Sequence, residues 1–229
     1  MVPVGRGAVF NFVRICLYAA LLTFGGGVFA QGLSSTVDNY FGLETGIGLV
    51  DTKKEFDETA RILSDALSSD VTYSHNKSFL TGRVFFGYGL RDNLAIEIGA
   101  FTGRGLKANY KIVSTGDTAR EEYDVNGFDV VGTYLFGENP YLDSGLYIKG
   151  GIHSSKVSGR GAVTLGGQST AVSASTSGTG LVLGLGAHTP FDDSKNGFII
   201  RFGYTHYREL GGISGGHMNN LSIGYIKPF

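Results

Sequence analysis

Few side chains in this sequence are of the kinds that do chemistry, and they are scattered along its 229 residues. His153 and Ser155 form a His-x-Ser, a spacing that on a strand puts a base and a hydroxyl on one face. Nucleophilic catalysis needs a third, acidic member to orient the imidazole. The next stretch, 156–180, offers Gln168 with serines and threonines but no Asp or Glu. His75, His188, His206 and His217 show no paired metal-ligand spacing. "GTGLVLG" at 178–184 has the wrong glycine spacing for a dinucleotide loop, and no helical pattern follows it. These residues assign no catalytic group, no metal and no cofactor.

A second set is more orderly. Glu44, Glu97 and Asp129, with Arg83, Lys149 and Arg201, are three acids and three bases. Each stands inside a run that alternates apolar and small or polar residues with a period of two, the pattern of a β-strand. Eight such runs occur, at about 39–51, 79–90, 93–103, 122–136, 144–155, 178–190, 197–207 and 217–229. Their lengths suit the roughly 9–11 residues of a tilted strand crossing a bilayer. The links alternate in length. Short ones, "RDN" (91–93), "GENPYLDS" (137–144) and "PFDDSKNG" (190–197), carry turn chemistry. Longer ones fall at about 52–78, 104–121, 156–177 and 208–216. This alternation predicts an all-β, eight-stranded antiparallel up-and-down barrel with turns on one rim and loops on the other.

The two faces of the runs differ in chemistry. One carries Leu94, Ile96 and Ile98, or Leu146, Ile148 and Ile152, or Phe198, Ile200, Phe202 and Tyr204. The other carries glycine with Glu97, Lys149 or Arg201. Phe85 in 79–90, and Val131 and Leu135 in 122–136, depart from this division. The lumen of an eight-stranded barrel holds filling side chains and little else, so glycine and charge belong inside and the bulky apolar face outside. An apolar exterior that broad is untenable in water and expected in lipid. Aromatic residues near strand ends, Tyr40, Phe41, Tyr134, Phe136, Phe191, Phe198 and Phe229 on the turn side and Phe101, Tyr123 and Tyr207 on the loop side, are expected at the bilayer interfaces.

At about 3.3 Å per residue, the six charges should share one mid-depth belt. Buried charges must be paired, which predicts a salt-bridge plug. Two roles fit it: structural neutralisation, or a gated path for small ions in which the pairs switch partners.

Two stretches break the β pattern. In 53–69 the residues Phe56, Ala60, Leu63, Ala66 and Leu67 fall at near-helical spacing, predicting a short amphipathic helix in the first long loop. It either caps the barrel mouth or meets a membrane surface or partner. Residues 156–180 are rich in Ser, Thr and Gly; they either extend two strands into a hairpin or form a flexible loop.

The N-terminal 30 residues combine Arg6 and Arg14, a short apolar run interrupted by Gly25, Gly26 and Gly27, and the small residues Val28 and Ala30. This is the pattern of a secretory signal peptide cleaved before Gln31. Residues 31–229 are then one domain, free of cysteine because Cys16 lies in the leader. Removing the two arginines from 19 basic residues leaves 17 against 20 acidic ones, a net charge of −3, which gives no reason to expect nucleic acid as a partner. Glycine, 37 of 229 residues, follows no collagen period and sits inside β-prone runs, where it marks crowded or bent strands.

The leader, the eight strands and the aromatic end together resemble the OmpA/OmpX-like small outer-membrane β-barrel family. The stretch "FFGYGLRDNLAIEIGAF", 85–101, is similar to the family's second hairpin. The resemblance covers essentially all of 31–229 and is architectural. It implies location in a bacterial outer membrane, contact with its lipid and lipopolysaccharide, and insertion by the outer-membrane assembly machinery. In "LSIGYIKPF", 221–229, Tyr225 and Phe229 match the alternating, aromatic-ended signal which that machinery reads, although Lys227 stands where the family often has an aromatic. His153 and Ser155 resemble part of the site of small-barrel lipid A deacylases, but the acid is missing and His153 has lumen parity. The expectation is a non-enzymatic monomer acting in envelope integrity or in surface contact with an extracellular partner through its loops; a narrow channel and a lipid-modifying enzyme are the alternatives.

Overall fold

The computed structural model describes residues 39–50, 53–137, 143–191, 198–213 and 215–229; the expected leader, 1–30, lies outside them, as do the centres of the links 137–144 and 190–197. Among the described residues nine strands form, all antiparallel to their neighbours. They are β1 (Tyr40–Leu49), β2 (Val71–His75), β3 (Ser78–Arg91), β4 (Leu94–Ile112), β5 (Thr118–Leu135), β6 (Gly145–Leu165), β7 (Gln168–Pro190), β8 (Ile199–Arg208) and β9 (His217–Pro228). One helix, α1 (Lys53–Leu67), follows β1. Eight strands close a ring in the order β1-β3-β4-β5-β6-β7-β8-β9. The seam is the pairing of β1 with β9, from Tyr40 opposite Pro228 to Leu49 opposite Asn219. Within the ring, closure satisfies the strand backbone internally, as a membrane requires.

All eight anticipated strands are present; the anticipated loop 104–121 is mostly strand instead, and 156–177 takes the hairpin alternative. The connections shrink to the tight turns Val113–Asp117 and Gly166–Gly167. Both turns rest on left-handed glycines, Gly116 at φ 75° and the pair Gly166 and Gly167 at φ 55° and 83°, the backbone that a two-residue hairpin turn demands. In β4 the alternation was masked by a bulge. The register with β5 shifts between Arg104 and Leu106, with Gly105 at φ 98°. A bulge adds one residue and so exchanges odd and even positions. Leu106, Ala108, Tyr110 and Ile112 therefore continue the buried face of Phe101.

The same irregularity explains β2, which the sequence did not disclose. Residues 71–75 pair with the outer end of β4, in line with β3, which pairs with the inner end. Asn76 occupies the break. Its Nδ2 donates to the carbonyls of Ser78 (2.8 Å) and Gly105 (2.6 Å), and its Oδ1 accepts the Lys107 N–H at 2.5 Å.

A wall of β2, β4, β5, β6 and β7 thus rises beyond the ring on the loop side. Helix α1 lies against it: Phe56 and Ala60 pack with Ala108, Tyr110 and Ala119. Its exposed ion pairs, Arg61 with Glu58 and Asp65, add little stability. Among the described residues no helix is long and apolar enough to cross a membrane; the strands supply the crossing surface.

Candidate functional site: the charged plug of the lumen

The face assignment holds around the ring. Leu43, Phe86, Ile98, Phe128, Ile148, Leu183, Phe202 and Ile223 point outward and are exposed, whereas Glu44, Arg83, Glu97, Asp129, Lys149 and Arg201 point inward and are buried. The departures noted along 79–90 and 122–136 are filling side chains: Phe85, Val131 and Leu135 are all buried. Phe85 lies against Gly42, where a Cβ would fall 2.1 Å from its ring. Lumen glycines and lumen aromatics are therefore complementary, each small residue making room for a neighbouring ring.

The aromatic belt needs correction. Phe41, Tyr134, Phe136, Phe191, Phe198 and Phe229 are exposed as expected, but Tyr40 is fully buried in the lumen. The loop-side set faces inward: Phe101 and Tyr207 pack in the interior cluster, and Tyr123 bridges to the α1 cluster. The physical reason is the narrowness of the cylinder, which glycine and charge alone cannot fill at interior density.

Three layers fill the lumen. Tyr40, Phe85, Ala95, Ile199 and Ile226 form an apolar floor on the turn side. The six charges form the middle. Above them lie Phe79, Phe101, Leu106, Val125, Val131, Val182, Tyr207, Leu210 and Met218. Leu210 comes from a short 3-10 turn, Leu210–Gly212, in the β8–β9 link. That turn is pinned by the Gly211 N–H donating to Ser155 Oγ (2.8 Å) and by Thr176 Oγ1 donating to the Gly211 carbonyl (2.8 Å).

Within the middle layer Arg83 is the hub. Its Nη2 lies 2.7 Å from Asp129 Oδ1, its Nε donates to Asp129 Oδ2 at 2.9 Å, and its Nη1 is 2.9 Å from Glu97 Oε2. Glu97 also takes Arg201 Nη1 at 2.7 Å and the Tyr40 hydroxyl at 3.0 Å. Glu44 is held more loosely, 3.6 Å from Lys149 Nζ, 3.7 Å from Arg83 Nη1 and 3.8 Å from Arg201 Nη1. The guanidiniums of Arg83 and Arg201 lie over the rings of Phe85 and Tyr147, at 4.4 and 4.5 Å. Gly99 leaves space for the Arg83–Asp129 pair: a Cβ there would sit 2.8 Å from Arg83 Nε. A cavity of about 10 Å³ beside Glu44 and Arg83 is the size of one water molecule.

All six residues named from sequence meet in this layer. Strand order places Arg83 between Glu44 and Glu97, and it lies against both; the other pairings were not readable from it. Asp129 and Lys149 sit on adjacent strands yet bond to Arg83 and Glu44, because the contacts run across the lumen. Tyr147 beside Arg201, and Tyr40 and Tyr207, whose hydroxyls reach Glu97 and Asp129 from the floor and the upper layer, were not named among the site residues; lumen parity with Glu44, Lys149 and Arg201 was the available signal.

His153 and Ser155 do not form a base–nucleophile pair. His153 Nε2 is 2.7 Å from the Arg208 carbonyl, while the Ser155 hydroxyl accepts from Gly211. Among the described residues no group of three or more His, Cys, Asp or Glu could hold a metal ion. His206 and His217, unrelated by spacing, do come together on β8 and β9, with ring centres 5.8 Å apart.

No protein-family model and no curated protein matches the chain. Among solved structures it is similar to Ail, the attachment invasion locus protein of Yersinia pestis, at 13% identity and a TM-score of 0.45, over 84% of this chain and 100% of that one. It is similar to Neisserial surface protein A at 14% and 0.41, over 83% and 97%, and to the N-terminal barrel of Pseudomonas aeruginosa OprF at 15% and 0.38, over 82% and 98%. The closed ring, the apolar exterior and the charged interior make this chain a small eight-stranded transmembrane β-barrel.

Proposed function

We propose that the protein is a non-enzymatic outer-membrane barrel with a sealed lumen, serving envelope integrity or surface contact through the wall beyond its ring. The observation that carries this reading is the three-layered lumen, in which six paired charges lie between two apolar layers. A conducting pore of this size needs a continuous wet path, and a void the size of one water beside the plug supports its absence. The charges would then be structural, neutralising one another where hydration is denied. The geometry of His153 and Ser155 supports a non-catalytic reading, since neither is free to activate the other.

The outward face leaves the β6–β7 hairpin as the element to meet a partner. Along Gln168–Ser177 both faces of β7 are exposed, and among the described residues no strand pairs its outer edge, because β8 joins β7 only from Val182 onward. We assign Tyr225, on the closing strand, and Phe229, one residue beyond it, to recognition by the assembly machinery, with membrane lipid and lipopolysaccharide covering the belt. The working unit is a monomer.

Two measurements test the reading. Refolded protein in a planar bilayer should show no steady current; a robust one would make the barrel a channel and the plug a gate. Replacing 159–174 with a two-residue turn should leave folding and insertion intact while abolishing cell attachment or aggregation. Unchanged attachment would place contact elsewhere.

A further inference from the structure

His206 and His217 form a pair that neither the plug nor the wall uses. Both lie on the outer face at the loop-side rim, just beyond Tyr204 and Leu221 of the apolar belt. Across the β8–β9 pairing His206 stands opposite Asn219, and His217 opposite Arg208; the two imidazoles are thus diagonal neighbours. Their ring centres are 5.8 Å apart, with planes inclined by 37°. Two imidazoles on one tetrahedral ion, with metal–nitrogen bonds of about 2.0–2.1 Å, hold their ring centres roughly 5 Å apart.

The tautomers are settled by their partners. His206 Nδ1 is 2.8 Å from Asn219 Oδ1, which also accepts the Tyr204 hydroxyl at 2.6 Å. His217 Nδ1 is 2.9 Å from the Gly215 carbonyl. An amide oxygen can only accept, so each Nδ1 carries the proton and each Nε2 keeps its lone pair. This is the arrangement that supports metal-binding histidines, whose second nitrogen donates to a carbonyl or carboxylate.

We propose that His206 and His217 form an exterior two-histidine site for a borderline divalent transition-metal ion, Cu²⁺ or Zn²⁺, bound through both Nε2 atoms with water completing the coordination. Two neutral imidazoles and no carboxylate exclude Ca²⁺ and Mg²⁺, which take oxygen ligands. Cu²⁺ binds more tightly than Zn²⁺ by the general order of affinities. Asn219 is a positioning residue that orients His206. Arg208, facing His217, sets the local charge against the ion, and Glu209 follows it in the chain; affinity in the micromolar range is therefore expected.

The test uses the full barrel, refolded in detergent without a polyhistidine tag. Titration with Cu²⁺ should give one site per chain, with an electron paramagnetic resonance spectrum showing two equatorial nitrogens. Zn²⁺ calorimetry should give one weaker site. His206→Ala and His217→Ala should each weaken binding at least tenfold, and His75→Ala should leave it unchanged. Asn219→Asp should tighten it and Asn219→Ala loosen it by about tenfold. A one-nitrogen spectrum of the unmodified protein, saturation only at millimolar metal, or binding that survives loss of both histidines would overturn the site. The first two readouts require no variant to fold.

Discussion

At the scale of single residues, the plug is a set of buried charges that tolerate no missing partner. Glu97 takes bonds from Arg83, Arg201 and Tyr40. Truncating it leaves the Arg201 guanidinium, among the described carboxylates, with only Glu44 at 3.8 Å and takes one of two close carboxylates from Arg83, in a layer closed above and below. Glu97→Ala should therefore cost about 3–5 kcal/mol, the range for breaking a buried pair, read as a shift in the urea midpoint of reversible folding in detergent. Gly99→Ala should destabilise as well, since the added methyl meets Arg83 Nε at 2.8 Å. The types and parity of these residues were legible in the sequence, because an ionisable group repeated on the glycine face of a strand belongs in the lumen. Of their partners only those of Arg83 on adjacent strands, Glu44 and Glu97, were legible. Strand order ranks neighbours along the sheet, whereas side chains in a narrow cylinder also reach across it, as Lys149 does to Glu44.

At the scale of elements, the outer wall is held by a different chemistry from the ring. Phe56 of α1 packs against Tyr73, His75 and Tyr123, with ring centres 6.4, 4.8 and 6.2 Å away. Phe56→Ala should release α1 while leaving the ring intact. Protease cleavage within 53–67 should rise severalfold, while the heat-resistant compact form persists on gels. Tyr110 and Tyr123 both donate to Glu121 Oε2; burial first, then that carboxylate, raise both phenols above their ordinary range. A raised folded pKa means that the folded form holds the proton more tightly. The stabilisation is thus complete below pH about 10, the unfolded value, and is lost as pH climbs further. Protection of α1 from protease should accordingly hold at pH 9 and fade at pH 11 and above; equal protection throughout would remove these phenols as its source. Helix α1 was visible in the spacing of its apolar residues. The β4 part of the wall beneath it was hidden by a bulge at Gly105, which reversed the parity of the β4 residues beyond, whereas the β6–β7 part was one of two readings the Ser/Thr/Gly-rich stretch left open.

At the scale of the whole molecule, the surface divides by height into a hydrocarbon-facing band and a polar wall. A charge placed mid-band, as in Leu183→Arg, should cost about 2–4 kcal/mol of folding free energy in lipid vesicles. Val172→Arg, on the wall and as exposed as Leu183, should cost almost nothing. Equal penalties would remove the band. Phe229→Ala should slow assembler-assisted insertion without changing the final stability; unchanged insertion kinetics would leave the terminal ring as ordinary packing against Phe86, 6.1 Å away.

The sequence by itself determined the number of ring strands, the inward and outward faces and the six charges, because a two-residue period is a local property and hydrocarbon admits only one side of it. Only the tertiary structure decided how those charges pair, that Tyr40, Phe101 and Tyr207 fill the interior, that a wall continues four of the strands, and that His206 meets His217. Those features depend on ring closure, register and a single bulge, which bring together residues that no spacing along the chain relates.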